Sequence, residues 1–576
     1  MNSKFNLERS TFIMMSFVAV IGLFFVLVRS DFVIQYRHYN NLTEKEPLVR
    51  SKEPLAAAYK QPAYLVLTGD DAKELADQTA FVLNHMGKRV ERLPLKELDS
   101  VTKEYDGMII ATENLDALTD PSSLLRYAEN GGSVFFATRP SPGNNLSTLY
   151  QRIGMIETGS FVETKGLKLT KPIFRSAGNR TFATEQIVNS SLNVRLAPEA
   201  DLQVSSPSGI PLLWKTEYGV GQFVVFNGSM LALPHGQSIL IKGLQMMTPE
   251  LIYPVLNAAP TILKGFPFPI PDQRHPNEKS TMNDYYRYTF WPEMQRIEAK
   301  YDLNYTAAYV AAFHEKNTDF SLSQEQENMI LYSRELLRMG GEMGLQGYNH
   351  LPIGDMNKLD IRWQYQELLE RTTHALPGYQ IRSFIPIDQQ DPLAHLALIR
   401  SYFPDLHAVL APIQYSFSVE WPKTEPLPTA ILNETFTGFT TDEYSNWLVY
   451  NSLLSSGYFS QSLQPQEFLS GKKAEVSLKE LEQFSAQLAQ DVPWLRRTVL
   501  SEAARSAIHT SDIIVYEEKT DQGVTFHLNK VSSPSYFFFS TDKKMKSTKH
   551  CHVKKIGHDL YLVETDQLTF SIGLEG

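Results

Sequence analysis

His350, closing the stretch Gly344-Leu-Gln-Gly-Tyr-Asn-His350, has the setting in this chain that comes nearest to that of a metal ligand. Histidines four residues apart, where a strand runs into a short turn, can place both imidazoles on one divalent ion. Here the position four residues earlier is Gln346, and a neutral amide oxygen binds borderline metals weakly. On spacing alone His350 therefore reads as an ordinary loop residue. His275, His314 and Asp284 could furnish a site elsewhere, but none has ligand spacing with His350. His550-Cys551-His552 has metal-binding residue types, yet strand alternation sets Cys551 on the opposite face from both histidines, so a surface pair is expected. Asp70-Asp71 opens a helical pattern, where the helix dipole favours carboxylates, and a capping role is expected. Cys551 is the only cysteine, which excludes an intramolecular disulfide.

At 576 residues the chain is too long for one core, and two to four domains are expected. Its 43% hydrophobic and 11% aromatic content belongs to a folded protein. A net charge of −10 argues against nucleic acid as a partner. Residues Thr11 to Val28 form an apolar run bracketed by Arg9 and Arg29. Eighteen residues at about 1.5 Å rise nearly span a hydrocarbon core of roughly 30 Å. The Val-Arg-Ser-Asp-Phe that follows is a poor cleavage site, so an uncleaved signal anchor is expected. Lys4 and Arg9 place the N-terminus in the cytoplasm and the bulk of the chain outside it, at the cell membrane.

The elements that must position any site begin at Ala63. AYLVLTG (63–69) reads as a buried strand, and AKELADQTAFVLNHMG as a helix with Gly87 at its C-cap. KRVERLPL, YDGMIIAT (105–112) and SVFFATR (133–139) read as further strands, with a helix around Ser122–Glu129; GQFVVFNGSM (221–230) closes the set. Such alternation implies a parallel, doubly wound sheet. From Ala259 the chain turns to Pro- and aromatic-rich loops, including FPFPIP (266–271) and WPEM (291–294). Helical periodicity over Glu325–Met339 and strand-like runs at 305–313, 381–387 and 407–413 fit a (β/α) barrel. A helix around Thr498–Ala507 precedes five alternating runs, DIIVYEEK to LTFSIG, which read as a small antiparallel β-domain.

The region 61–255 resembles class I glutamine amidotransferase-like domains, which have a flavodoxin-like fold. Their chemistry needs a nucleophilic cysteine at a strand-to-helix elbow, and no cysteine precedes position 551, so glutaminase activity is excluded. Thr68-Gly69-Asp70-Asp71 lacks a Gly-x-Gly-x-x-Gly fingerprint, which argues against dinucleotide binding. The phrases ILKGFPFPIP, YYRYTFWPEM, GEMGLQGYNHLP, IRSFIPI and SSGYFSQSLQPQEFL, in that order, resemble a membrane-anchored polysaccharide deacetylase-like family. That family is associated with Pel-type exopolysaccharide genes, is related to the PelA deacetylase domain, and is similar to carbohydrate esterase family four.

The residue patterns and the resemblance together divide the chain into an anchor (1–30), a linker (31–60), an amidotransferase-like α/β domain (61–255), a deacetylase-like barrel (256–508) and a C-terminal β-domain (509–576). It also implies a mechanism in which an aspartate activates a metal-bound water, a second aspartate and two histidines hold the ion, and another histidine protonates the leaving amine. Carried onto this sequence, the two aspartates match Lys264 and Gly265, the metal histidines Gln346 and His350, and the acid histidine Gln464; a histidine is also expected where Gln461 stands. Catalytic zinc normally has three protein ligands, and one surviving histidine cannot hold it. A pseudoenzyme without cofactor is therefore expected, binding an amino-sugar polysaccharide through Phe266, Phe268, Trp291, Tyr348, Asn349, His350 and Trp363, or holding membrane synthase components. Two alternatives stay open: an active N-deacetylase with zinc or a similar divalent metal at a relocated site, and a structural docking protein of the envelope.

Overall fold

The computed structural model describes residues 12–23, 48–101, 104–172, 174, 179–268, 281–312, 319–349, 358–387, 395–412, 417–420, 428–439, 441–464, 472–532 and 534–575. Residues 12–23 are helical with exposed side chains; the rest of the N-terminal apolar run lies outside the described residues. Among the described residues no helix is long and apolar enough to cross a membrane.

The first nine-stranded sheet begins with five parallel strands in the spatial order Arg89–Pro94, Ala63–Thr68, Gly107–Ala111, Ser133–Phe136 and Gly221–Phe226. This second-first-third-fourth order occurs in doubly wound sheets. Both faces are covered, which explains the unbroken apolar runs. Val66, Ile109 and Phe135 pack beneath the helices Lys73–His85 and Gln237–Met247. Leu65, Ile110 and Phe136 face the helices Ser122–Glu129 and Asn144–Leu149. Gly87 ends the first helix at φ +72°, and a Cβ there would meet the Ile513 carbonyl oxygen at 2.5 Å. Four antiparallel strands extend this sheet (Pro211–Tyr218, Asp201–Ser205, Leu167–Leu169 and Thr181–Phe182), and Met155–Lys165 pairs with Val188–Leu196 as a separate ribbon. No element is expected from the sequence between residues 139 and 221, where this β-rich stretch lies.

The second nine-stranded sheet runs Phe417–Glu420, Thr429–Asn433, Ala408–Ala411, Ser383–Phe384, Glu342–Gly347, Tyr305–Val310, Thr261–Phe266, Gln461–Leu463 and Phe436–Thr437. All neighbours are parallel except the first pair. One segment serves both sides of this order: Thr429–Asn433, second from one end, pairs with Ala408–Ala411, and Phe436–Thr437, two residues later and at the other end, pairs with Gln461–Leu463. The sheet is thereby curled into a half-barrel whose edges meet around Glu434. Its first strand, Thr261–Phe266, falls where the sequence suggested loops; its Lys-Gly interruption and the following prolines hid a buried apolar run.

The C-terminal residues build two four-stranded antiparallel sheets packed through Phe526, Phe537, Phe539 and Phe570. One takes its edge strand from Ile252–Val255, ahead of the half-barrel. A buried ion pair between Lys88 and Glu517, at 3.1 Å, ties the first sheet to this unit, and Arg180 pairs with Asp491 at the end of the Lys472–Asp491 helix. The expected alternation through His550-Cys551-His552 is corrected: His550 has φ +60°, and the chain crosses there from the strand Met545–Lys549 in one sheet to His552–Lys555 in the other. Burial pushes the Cys551 thiol up to about 11, so it is protonated at neutral pH.

Candidate functional site

Parallel strands deliver their C-terminal ends to one rim of the half-barrel, and in sheets of this kind that rim carries the binding groups. Lys264, Gly265 and Phe266 end the first strand, Gln346 ends the third, and Glu434 follows Thr429–Asn433. Lys264 Nζ lies 2.5 Å from Glu434 Oε1, with both side chains over nine-tenths buried. Thr437 Oγ1 donates to the same carboxylate oxygen at 3.0 Å. Burial alone would raise the Glu434 carboxyl; attraction and hydrogen bonding from Lys264 outweigh it and hold the group below the ordinary carboxylate range.

Beside this pair the Gly265 N–H donates to Gln346 Oε1 at 2.7 Å. Gly265 sits at φ +68°, a conformation that L side chains adopt only under strain. The four positions thus form two closed contacts, Lys264 with Glu434 and Gly265 with Gln346. Lys264 brings a cation and Gly265 no side chain, and the Gln346 oxygen is already an acceptor. This donor set does not fit a divalent metal. Among the described residues no group of three or more His, Cys, Asp or Glu could hold one. His350, His275 and His314 lie outside the described residues.

The remaining expected residues separate into two sets. Phe266, Phe268 and Trp291 are 0%, 2% and 2% exposed, and they pack with Tyr286 and Tyr332 in one aromatic cluster. The Trp291 indole N–H donates to Glu335 Oε2 at 2.7 Å. Their expected role as stacking faces for sugars is corrected by this burial: the rings offer no open face and serve the core. Trp363 differs. It is 54% exposed on the helix Lys358–Ala375 and stands edge-on to Tyr348, with ring centroids 5.0 Å apart. Tyr348 is itself buried, with the Arg371 guanidinium 5.6 Å from its ring centre, and Asn349 follows it on the rim.

Gln464 ends the Gln461–Leu463 strand half-buried, while Gln461 is buried and donates to the Gly438 carbonyl at 3.0 Å. Asp284 closes a capping box with Thr281. The capping role expected of Asp70-Asp71 is also corrected. The Lys73–His85 helix has Ala72 at its N-cap with no side-chain cap, and Asp71 instead accepts from Thr112 Oγ1 at 2.5 Å and from the Glu113 N–H at 2.8 Å. Glu434 was missed altogether. Its signal is a lone carboxylate directly after the apolar run Thr429–Asn433, which, once the strand is buried, demands a cation.

Among solved structures the chain is similar to Puue allantoinase (10% identity, TM-score 0.33), over 44% of this chain and 92% of that one. It is also similar to a "probable Polysaccharide deacetylase" from Pseudomonas aeruginosa PAO1 (11% identity, TM-score 0.32, 43% and 90% covered). A third likeness is to the Xyl-CE4 domain of a multidomain xylanase from the hindgut metagenome of Trinervitermes trinervoides (12%, TM-score 0.25, 43% and 89%). At these scores the likenesses say nothing about what this chain does. No curated protein matches it. A family model does match, over residues 162–562, from the extension of the first sheet through the half-barrel into the last unit. The chain belongs to the family described as "Uncharacterised protein conserved in bacteria (DUF2194)".

Proposed function

We propose that this chain is a membrane-anchored, extracytoplasmic protein of Pel-like exopolysaccharide production, a deacetylase homologue without catalysis that binds the polymer or holds its synthesis machinery. One observation carries the reading: the rim positions that the resemblance assigns to a metal and its base are occupied by the Lys264–Glu434 ion pair and the Gly265–Gln346 hydrogen bond. A buried ammonium beside the place of the ion opposes a dication, and among the described residues Lys264, Gly265 and Gln346 are already engaged within the protein. The exposed indole of Trp363, at the same rim, supplies an apolar face of the kind sugar rings stack on.

Titration of the purified protein with acetylated and deacetylated hexosamine oligomers, alongside co-purification of membrane synthase components, tests it. Saturable oligomer binding that weakens on Trp363→Ala, or recovery of a synthase component with the protein, is the expected result. Absence of both would overturn the reading.

A further inference from the structure

Apart from the half-barrel rim, a cleft of about 380 Å³ opens where the loop after the Lys472–Asp491 helix faces a sheet of the C-terminal unit. That volume lies in the range of small-ligand sites. Its floor is a cross-strand row: Tyr536 is paired with Glu564, and Glu564 with His552. In the next row on the same face Leu562 is paired with Lys554. Register thus sets an aromatic ring, a carboxylate, an imidazole and an ammonium on one surface. The opposite wall brings Trp494 and Arg496, and the Arg496 guanidinium lies 5.4 Å from the centre of the Tyr536 ring.

Three features bear on a ligand. Arg496, Lys554 and Glu564 have no ion-pair partner among the described residues, although Arg496 is half-buried. Trp494 is more than nine-tenths buried, and its indole N–H has no acceptor among the described residues. Buried donors are seldom left so, but this nitrogen is itself closed off from solvent, and Trp494, packed against Phe174 and Phe538, gives the cleft an apolar wall. The charges are also mixed: two cations, Lys554 on the floor and Arg496 on the wall, stand against the one carboxylate of Glu564.

We propose that this cleft is a binding site for a sugar unit carrying a single carboxylate, a hexuronate. Arg496 and Lys554 hold the carboxylate, Glu564 accepts from ring hydroxyls, and the edge of Tyr536 lies against the ring. A phosphate dianion is disfavoured, because Glu564 would repel its second charge and its single P–OH offers that carboxylate fewer donors than the hydroxyls of a sugar ring. The site stands independently of the reading given to the half-barrel.

Methyl β-D-glucuronide and methyl β-D-glucoside, which differ in the carboxylate, and inorganic phosphate are titrated against the full chain at low salt, with Trp fluorescence and calorimetry as readouts. Saturable glucuronide binding at least about tenfold tighter than glucoside binding is expected, from the loss of charge-assisted hydrogen bonds. Lys554→Gln, on an exposed strand position, is expected to weaken glucuronide about tenfold without altering the unfolding midpoint. Glu564→Gln is expected to weaken glucuronide and strengthen phosphate. Absent glucuronide saturation, equal affinity for glucoside, tighter phosphate binding by the unaltered protein, or an unchanged glucuronide affinity in Lys554→Gln would each overturn the proposal.

Discussion

Lys264 on the strand Thr261–Phe266 is ion-paired at 2.5 Å with Glu434, between the strands Thr429–Asn433 and Phe436–Thr437 through which one segment serves both sides of the sheet. One contact therefore both fills the rim and fastens the sheet's closure. Removing one partner strands a buried charge. Lys264→Met is expected to cost about 3–5 kcal/mol of unfolding free energy, and adding Glu434→Leu to recover most of it. Denaturant unfolding of the two single variants and the double variant measures this coupling. Single-variant losses below about 1 kcal/mol would mean the pair contributes as little as an exposed one.

The same pair sets an acid dependence. Because the Glu434 carboxyl is held below its ordinary value in the folded protein, its contribution is complete above the unfolded value of about 4.5 and fades as pH falls through the folded one. The deficit of Lys264→Met should therefore be widest near pH 7 and narrow towards pH 3. Unfolding midpoints across that range provide the check.

Glu298 has the opposite sign. Burial, with Asp302 adding to it, pushes this carboxyl up to about 7, so the folded protein holds a proton there that the unfolded chain releases near 4.5. That contribution is complete below pH 4.5 and is lost as pH rises through 7. Glu298→Gln is expected to gain stability over the unaltered protein between pH 5 and 8. A constant difference across that interval would contradict the assignment.

Two tryptophans at the half-barrel should respond differently. Trp363→Ala, at an exposed position, should leave stability within about 0.5 kcal/mol while weakening hexosamine oligomer binding roughly threefold to tenfold. Trp291→Ala removes a buried ring and its bond to Glu335, and should cost about 3–5 kcal/mol. Thermal melts beside oligomer titrations separate the two effects.

The parallel half of the first sheet was legible because apolar runs, a glycine C-cap and short connections all repeat there. Its antiparallel extension was not, since Met155–Lys165 is a mostly exposed ribbon with no apolar period. The strand Thr261–Phe266 was hidden by Lys264 and Gly265, the residues through which the site departs from the resemblance. The resemblance assigned Lys264, Gly265 and Gln346 to one site but could not supply Glu434, whose pairing arises only when the sheet curls. Nor could residue type tell the exposed ring of Trp363 from the buried rings of Phe266, Phe268 and Trp291; that difference is made by packing.

The most direct measurement is metal content together with acetate release from acetylated hexosamine oligomers, made on the purified protein supplied with zinc, cobalt or nickel. The account predicts a cooperatively folded protein with no stoichiometric metal and no acetate above the buffer rate. One bound metal per chain with catalytic acetate release would contradict it, and would mean that the rim is opened by a ligand set other than Lys264, Gly265 and Gln346.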